Sequence, residues 1–485
     1  MEVNVMEQLT WLSLDYRYGI IPEEALWPYV IEELGNLDFS KYTESYPYFR
    51  YMCLKNPEAP AASSAESPQL CFFPEAEPSG PASDISPAGH AGRKGYPFLP
   101  MFTAFVVAPL LGVPDGSSHL RRSLVGNPAF WRGCGFKSVE QVPSRQTLDR
   151  FNAIMIRCGI WRDARVQQIK DNIKQGVFKP SPVVAVDTVH SESRSLPNHK
   201  TCGCADQEHC SCPVTDDVCG VVRKSATVTH LGLKYSLLVD TASELPYTGD
   251  PLHGSRNDGK GLPPLLERFE REFPELFPAK IRYITADGPY YSQENRDLLR
   301  NKTGDQVKLV SRGNPGSRKD RSFDDVPGVA KIDKRGYPIC LAGLAMLYLG
   351  RDRNRQQYIF GCPVHHPKAR GEGQPPECSC RERCCGEAKR NGRIFRVDRD
   401  EVPWINWELP EYSVEFSRVY NRRTSVERLN SRLVDNLGFR EQRRRGRKHA
   451  QAHIDRYLLL LHLIAAAACR MGQEERIRCV RSFAA

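Results

Sequence analysis

The chain has 485 residues, a formal net charge of +10 and 40% hydrophobic residues, with a pI near 8.8. That length suggests about three domains with room for sizeable cores, and the basic excess suits a polyanionic partner. No apolar run reaches the ~20 residues needed to span a bilayer, so no membrane partner is expected. Glu2 and Glu7 open the chain with no basic region leading into an apolar core, which excludes a signal peptide pattern and predicts a cytoplasmic protein.

Residues 1–55 read as an aromatic-rich, partly helical segment, with Pro22 suited to a first helical turn. Residues 56–95 are rich in Pro, Ala, Ser and Gly and read as a linker with no core of its own. Residues 96–176 read as helices. Pro100 to Gly112 is apolar, and Ser144 is a suitable N-cap for a helix carrying Leu148, Phe151, Met155 and Cys158 at helical spacing. Such a pattern fits a helix-turn-helix that reads DNA, and equally a bundle that packs on a neighbouring domain.

The domain that follows is taken as residues 180–439, with cysteine-rich insertions at about 190–220 and 314–400. Val183-Val184-Ala185-Val186-Asp187 is a short apolar run closed by an acid, and Ile281 to Asp287 repeats the pattern. Such runs read as buried strands, and an acid just past one stands where open α/β sheets place their ligands. Leu231 to Asp240 is a third strand ending in an acid, with Asp240 better read as a turn cap. Leu262 to Phe273 is an amphipathic helix. Ser292 can cap a helix over 293–300, and Val307 to Val310 is a further strand. The loop Ser311 to Lys319 could wrap a phosphate backbone or be a solvated loop. Asp287 and Glu427 lie 140 residues apart, too far for one connection, so an inserted subdomain is expected between them. Trp404 and Trp407 within it suit burial better than base stacking.

Tyr420 to Leu433 reads as one helix. At ~3.6 residues per turn, Tyr420, Arg423, Glu427, Asn430, Ser431 and Val434 share a face, beside an apolar stripe of Val426, Leu429 and Leu433. Eleven Lys/Arg and three acids fall between Arg418 and Lys448. Residues 440–485 form a basic segment, including Arg443, Arg444 and Arg445, that would bind phosphates, and then an apolar helix from Ala450 to Arg470. Two strand-end aspartates and one helix glutamate can hold two divalent cations, Mg²⁺ or Mn²⁺, for in-line phosphoryl transfer.

The chain has seventeen cysteines, which in a reducing cytosol do not read as a disulfide framework. Cys202, Cys204, Cys210, Cys212 and Cys219 form one group. Cys362, Cys378, Cys380, Cys384 and Cys385 form a second, with His365 and His366 nearby. Such density argues for structural Zn²⁺, although the spacing is C-x-C rather than the common C-x₂-C.

The chain resembles DDE transposases of the bacterial insertion-sequence type, whose signature runs Y-x₂-R-x₃-E-x₆-K. Tyr420, Arg423 and Glu427 stand in register, and Val434 stands where the signature has lysine. The resemblance spans roughly residues 96 to 470. It implies a ribonuclease H-like α/β fold, a mixed sheet with helices on both faces, and Asp187, Asp287 and Glu427 as catalytic triad. It also implies double-stranded DNA as partner, at transposon ends and target, with a homodimer on DNA. Tyr420 and Arg423 would hold the backbone, and Arg428 or Arg432 would replace the lysine. Competing readings are a catalytically inactive DNA-binding derivative and a structure-specific nuclease on the same fold. A bacterial or archaeal cytoplasm is the expected setting.

Overall fold

The structure, a computed structural model, describes residues 27–36, 96–193, 218–223, 229–304, 306–313, 319–323, 328–369, 392–402 and 405–483. The expected linker over 56–95 lies outside the described residues, as does most of the 1–55 segment. Two compact units emerge. The first comprises Met1–Ser181, Asp187–Lys280 and Ser425–Ala485, and the second Pro182–Val186 and Ile281–Thr424.

In chain order, the first unit holds helices α1 (Trp27–Asn36), α2 (Phe98–Val107), α3 (Ser117–Gly126), α4 (Pro128–Gly133), α5 (Arg145–Arg157) and α6 (Ile160–Lys174). Strand β1 (Val183–Ser193) begins in the second unit and ends in the first. Strands β2 (Gly220–Arg223), β3 (Thr229–Asp240) and β4 (Pro246–His253) and helix α7 (Leu262–Glu272) continue the first unit. The second holds β5 (Tyr283–Ala286), α8 (Gln293–Thr303), β6 (Lys308–Val310), β7 (Arg321–Ser322), β8 (Val329–Ile332), β9 (Pro338–Cys340), β10 (Leu347–Asp352), β11 (Gln357–Gly361), β12 (Ile394–Asp398) and α9 (Val414–Tyr420). Helix α10 (Thr424–Ser431), strand β13 (Glu441–Gln442) and helix α11 (Arg447–Arg470) close the chain.

Within the first unit, β3 lies beside β1 and pairs antiparallel with both β2 and β4. β13 extends the end of β1 in parallel. Within the second, residues 183–186 of β1 pair in parallel with β5, and β5 with β6. Strands of mixed direction with helices packed beside them make this a mixed α/β protein, the fold class expected from the sequence. Local signals act as the sequence predicts. Ser144 Oγ accepts from Thr147 N at 3.2 Å to start α5, and Ser292 Oγ from Asn295 N at 3.1 Å to start α8. Helix α7 starts on prolines and buries Leu262, Leu265, Leu266 and Phe269, one apolar face at helical spacing.

Helix α11 is apolar nearly all round. By length and composition it could cross a membrane, yet its apolar stretch is buried inside the unit, against β4 and α6. Buried histidines on it make stability pH-dependent. His462 Nδ1 receives Asn172 Nδ2 at 3.2 Å, while its Nε2 faces Pro246 O at 2.7 Å. A proton on Nδ1 would set donor against donor. Burial pushes both His453 and His462 down to about 4. The folded state therefore binds fewer protons than the unfolded state between that value and the ordinary ~6.5, so stability is lost as pH falls through this window. The expected slope is about 1 kcal/mol per pH unit for each histidine. Denaturant midpoints measured from pH 7 to 4 check this, and a flat profile above pH 4.5 would contradict it.

Between Asp287 and Glu427 the second unit holds two three-stranded antiparallel sheets, β7-β8-β9 and β10-β11-β12. They enclose their own core, which includes Val329, Tyr358, Phe360, Val397 and Trp407. Trp407 is buried there against Tyr358, as expected, whereas Trp404 lies outside the described residues. Gly336 adopts φ +89°, and a Cβ at this position would meet the hydroxyl of Tyr412, which donates to its carbonyl at 2.6 Å.

Candidate active site

Asp187 does not end its strand, contrary to the sequence expectation. β1 runs on through Thr188 and Val189 to Ser193, because its far half finds partners in β3 and β13. Pairing with β5, however, stops at Val186 opposite Ala286. Each of these residues is followed by an aspartate, Asp187 and Asp287. Asp287 immediately precedes a short 3₁₀ turn over Gly288–Tyr290 without a side-chain cap, and its carbonyl accepts from Ser311 Oγ at 2.6 Å.

The predicted single helix around Glu427 is segmented. α9 ends at Tyr420, Asn421–Arg423 is a tight 3₁₀ turn, α10 carries Glu427, and Arg432–Asn436 widens into a π turn. Val426, Leu429 and Leu433 are fully buried, as the apolar stripe predicted, while Glu427 is exposed. One turn on, Asn430 Nδ2 donates to Asp187 Oδ2 at 3.3 Å and to the Thr188 carbonyl at 3.4 Å. The glutamate helix therefore lies against β1 at Asp187.

Asp240 is a turn cap. Its carboxylate accepts from the backbone of Ser181, Ala242 and Ser243 at 2.6 to 3.0 Å and from Ser243 Oγ, which leaves it a structural role. The same turn presents Glu244, buried and with φ +59°, a conformation unusual for a side chain of this size. Glu244 receives Arg428 at 2.6 Å, Arg478 at 3.1 Å and Arg432 at 3.3 Å. This corrects the expectation for Arg432. It is buried against Glu244, and burial pushes its pKa down to about 10. Arg428 keeps a half-exposed side chain but spends its guanidinium on the same acid. Glu244 carried no signal in the sequence, because its partners are remote along the chain.

In the second unit, Arg312 stacks over the Tyr420 ring at 4.7 Å and Arg423 at 5.8 Å. Thr285 Oγ1 donates to the Tyr420 carbonyl at 3.4 Å, which ties this basic pair to β5. In the first unit, Arg443 pairs with Glu441 and His119 and donates its backbone N–H to Asp115 at 3.2 Å. Arg444 donates to Ser117 Oγ at 2.7 Å and pairs with Asp149. These two arginines pin the basic segment onto α3 and α5. Arg445 is exposed.

Cys202, Cys204, Cys210, Cys212, Cys378, Cys380, Cys384 and Cys385 lie outside the described residues. Cys219 and Cys362 are described, and both are buried. Among the described residues, no three His, Cys, Asp or Glu side chains form a ready-made group for a metal ion. The donors present nevertheless suit the expected ions. Beside Asp187, the Asn430 Oδ1 atom is buried without a hydrogen-bond partner, a hard oxygen of the kind magnesium takes. Cys362 Sγ accepts the His365 backbone N–H at 3.4 Å, and His365 Nε2 is buried without a hydrogen-bond partner, so each carries an atom type that zinc takes.

Residues 222–463 match the family model of the transposase DDE domain. The chain belongs to the DDE-domain transposases. The matched span includes Asp287 and Glu427 and begins after Asp187. No curated protein matches the chain. Among solved structures, a piggyBac transposase in a synaptic complex with hairpin DNA aligns at TM-score 0.34 and 12% identity, covering 79% of this chain and 69% of that one.

Proposed function

We propose that this chain is an insertion-sequence transposase that cuts DNA at transposon ends and joins the freed 3′-hydroxyl to target DNA. The observation that carries the reading is the register of the two parallel strands, which close their shared ladder at the same level, each followed by an aspartate. The contact between Asn430 of the glutamate helix and Asp187 adds to it. In this reading Asp187, Asp287 and Glu427 are the acids that hold two divalent cations, and Asn430 orients the Asp187 carboxylate. Bound Mg²⁺ or Mn²⁺ would supply water activation and charge neutralisation at the scissile phosphate. Tyr420 presents Arg423 and Arg312 to the DNA backbone as a stacked cationic pair. Exposed Arg445 adds sequence-independent attraction. Strand transfer needs two ends held together, so two copies would act as a dimer on DNA.

The test is incubation of the purified protein with duplexes carrying the sequences that flank its reading frame. Magnesium-dependent nicking at their ends and joining into a second duplex are expected. Nicking without joining would favour a structure-specific nuclease, and binding without nicking an inactive derivative.

The cysteine groups are proposed to hold structural Zn²⁺, with Cys362 and His365 contributing to the second. Elemental analysis of purified protein is expected to find at least one zinc per chain, and thermal stability should fall on chelation. Less than one zinc per chain would remove both sites.

A further inference from the structure

In the first unit, a cleft of about 240 Å³ opens between the β1 segment after Asp187 and the far end of the glutamate helix. Thr188 and His190 line one wall, Asn430, Ser431 and Val434 the other, and Arg440 stands at its edge. The cleft adjoins Asp187 directly, because Asn430 donates to both the Asp187 carboxylate and the Thr188 carbonyl. Its volume is below the ~300–1,000 Å³ of typical small-molecule sites, which suits one sugar–phosphate unit of a strand.

The surrounding cations sort themselves by partner. Arg428 and Arg432 are taken by Glu244, Arg443 by Glu441 and His119, Arg444 by Asp149, and Arg447 by Asp250. Arg440 differs. Its backbone carbonyl accepts from Glu192 N at 2.7 Å, which anchors it to β1. Its side chain is exposed, and among the described residues no hydrogen bond or ion pair engages its guanidinium. A fixed backbone with an uncommitted, forked cation beside a carboxylate site is an arrangement suited to a phosphodiester. Val434, across the cleft, brings no charge. Asp435 also lines the cleft and spends one carboxylate oxygen on Ser431 Oγ at 2.7 Å. Its negative charge disfavours a free phosphate ion, whereas a strand already held elsewhere can still seat one phosphate against Arg440.

We propose that Arg440 grips a single backbone phosphate of the cleaved strand, next to the scissile position, and so supplies the cation that Val434 lacks. The assignment rests on the transposase reading and names one of its DNA contacts.

The experiment uses the full chain and a set of end duplexes in which one phosphate at a time is replaced by a neutral methylphosphonate. For the wild type, one position beside the cut is expected to weaken binding about tenfold, the scale of a charge-assisted contact. Arg440→Ala is expected to be insensitive at that position alone, with a salt slope lower by about 0.9. Arg440→Lys should recover the slope but only part of the positional effect. Inorganic phosphate at millimolar concentration should not compete. The exposed side chain predicts an unchanged melting temperature for both variants, so a folding defect would be visible separately. An interference map for Arg440→Ala identical to the wild type, with metal-dependent cutting intact, overturns the Arg440 assignment and leaves the transposase reading standing. A wild type that neither binds nor cuts any flanking duplex overturns both.

Discussion

Asp187→Asn, Asp287→Asn and Glu427→Gln are each expected to lower metal-dependent DNA cleavage by on the order of 10³-fold or more, with little change in DNA affinity. The exchanges keep side-chain volume and remove one negative charge from the proposed cation site. Asp187 is constrained on two sides, by its own strand and by the amide of Asn430 at 3.3 Å. Its amide variant can keep an acceptor oxygen toward that donor, so the loss is chiefly one of charge. Glu427 is exposed on α10, so its replacement should leave folding intact and isolate the chemical effect. Gel assays of nicking and of strand transfer, with affinity measured on the same duplexes, check each variant. Full strand transfer by any one of them removes that residue from the triad. The three losses should not add, because acids that share ions act as a unit.

The second large effect concerns stability. Arg165 is fully buried in α6 and donates to Glu272 on α7 at 2.7 Å, to Asp455 on α11 at 2.9 Å, and to the Tyr247 carbonyl on β4. Four elements of the first unit thus meet at one guanidinium. Burial pushes both acids upward. Arg165 and Arg268 overcome it at Glu272, which is held below its ordinary value, while Asp455 remains raised. Arg165→Met would leave two buried carboxylates without their shared cation, at a cost of about 3–5 kcal/mol. Adding Glu272→Gln and Asp455→Asn should recover a large part of that loss, because the uncompensated charges are then gone. Urea denaturation of the single and triple variants measures both steps. A loss below about 1 kcal/mol in the single variant would show that the network contributes little beyond packing.

Much of the fold was legible along the chain. The apolar run of β1, the prolines and apolar face of α7, the capping serines 144 and 292 and the buried stripe 426-429-433 are all local patterns. Local geometry imposes them, so they could be read without knowing what they pack against. The signature Tyr420, Arg423, Glu427 was legible for the same reason, since three positions on one short segment keep their spacing whatever surrounds them.

Expectations that depended on remote partners fared differently. Nothing near Arg432 in the sequence announces that Glu244 will claim it, or that Glu244 will adopt a left-handed backbone to do so. Arg443 and Arg444 read as free cations until α3 and α5 supply their partners. The extent of β1 beyond Asp187 depends on β3 and β13, the latter more than 240 residues away in the chain. The segmented course of the Glu427 helix likewise escaped its smooth periodicity.

By itself, then, the amino-acid order determined where most of the described strands and helices begin and the excess of cations around Glu427. Only the tertiary structure decided which of those cations are neutralised inside the protein and which, like Arg440, remain uncommitted. The physical reason is range. Secondary structure follows from steric and hydrogen-bonding rules acting over a few residues, whereas a charge finds its partner by proximity in space, which chain separation does not encode.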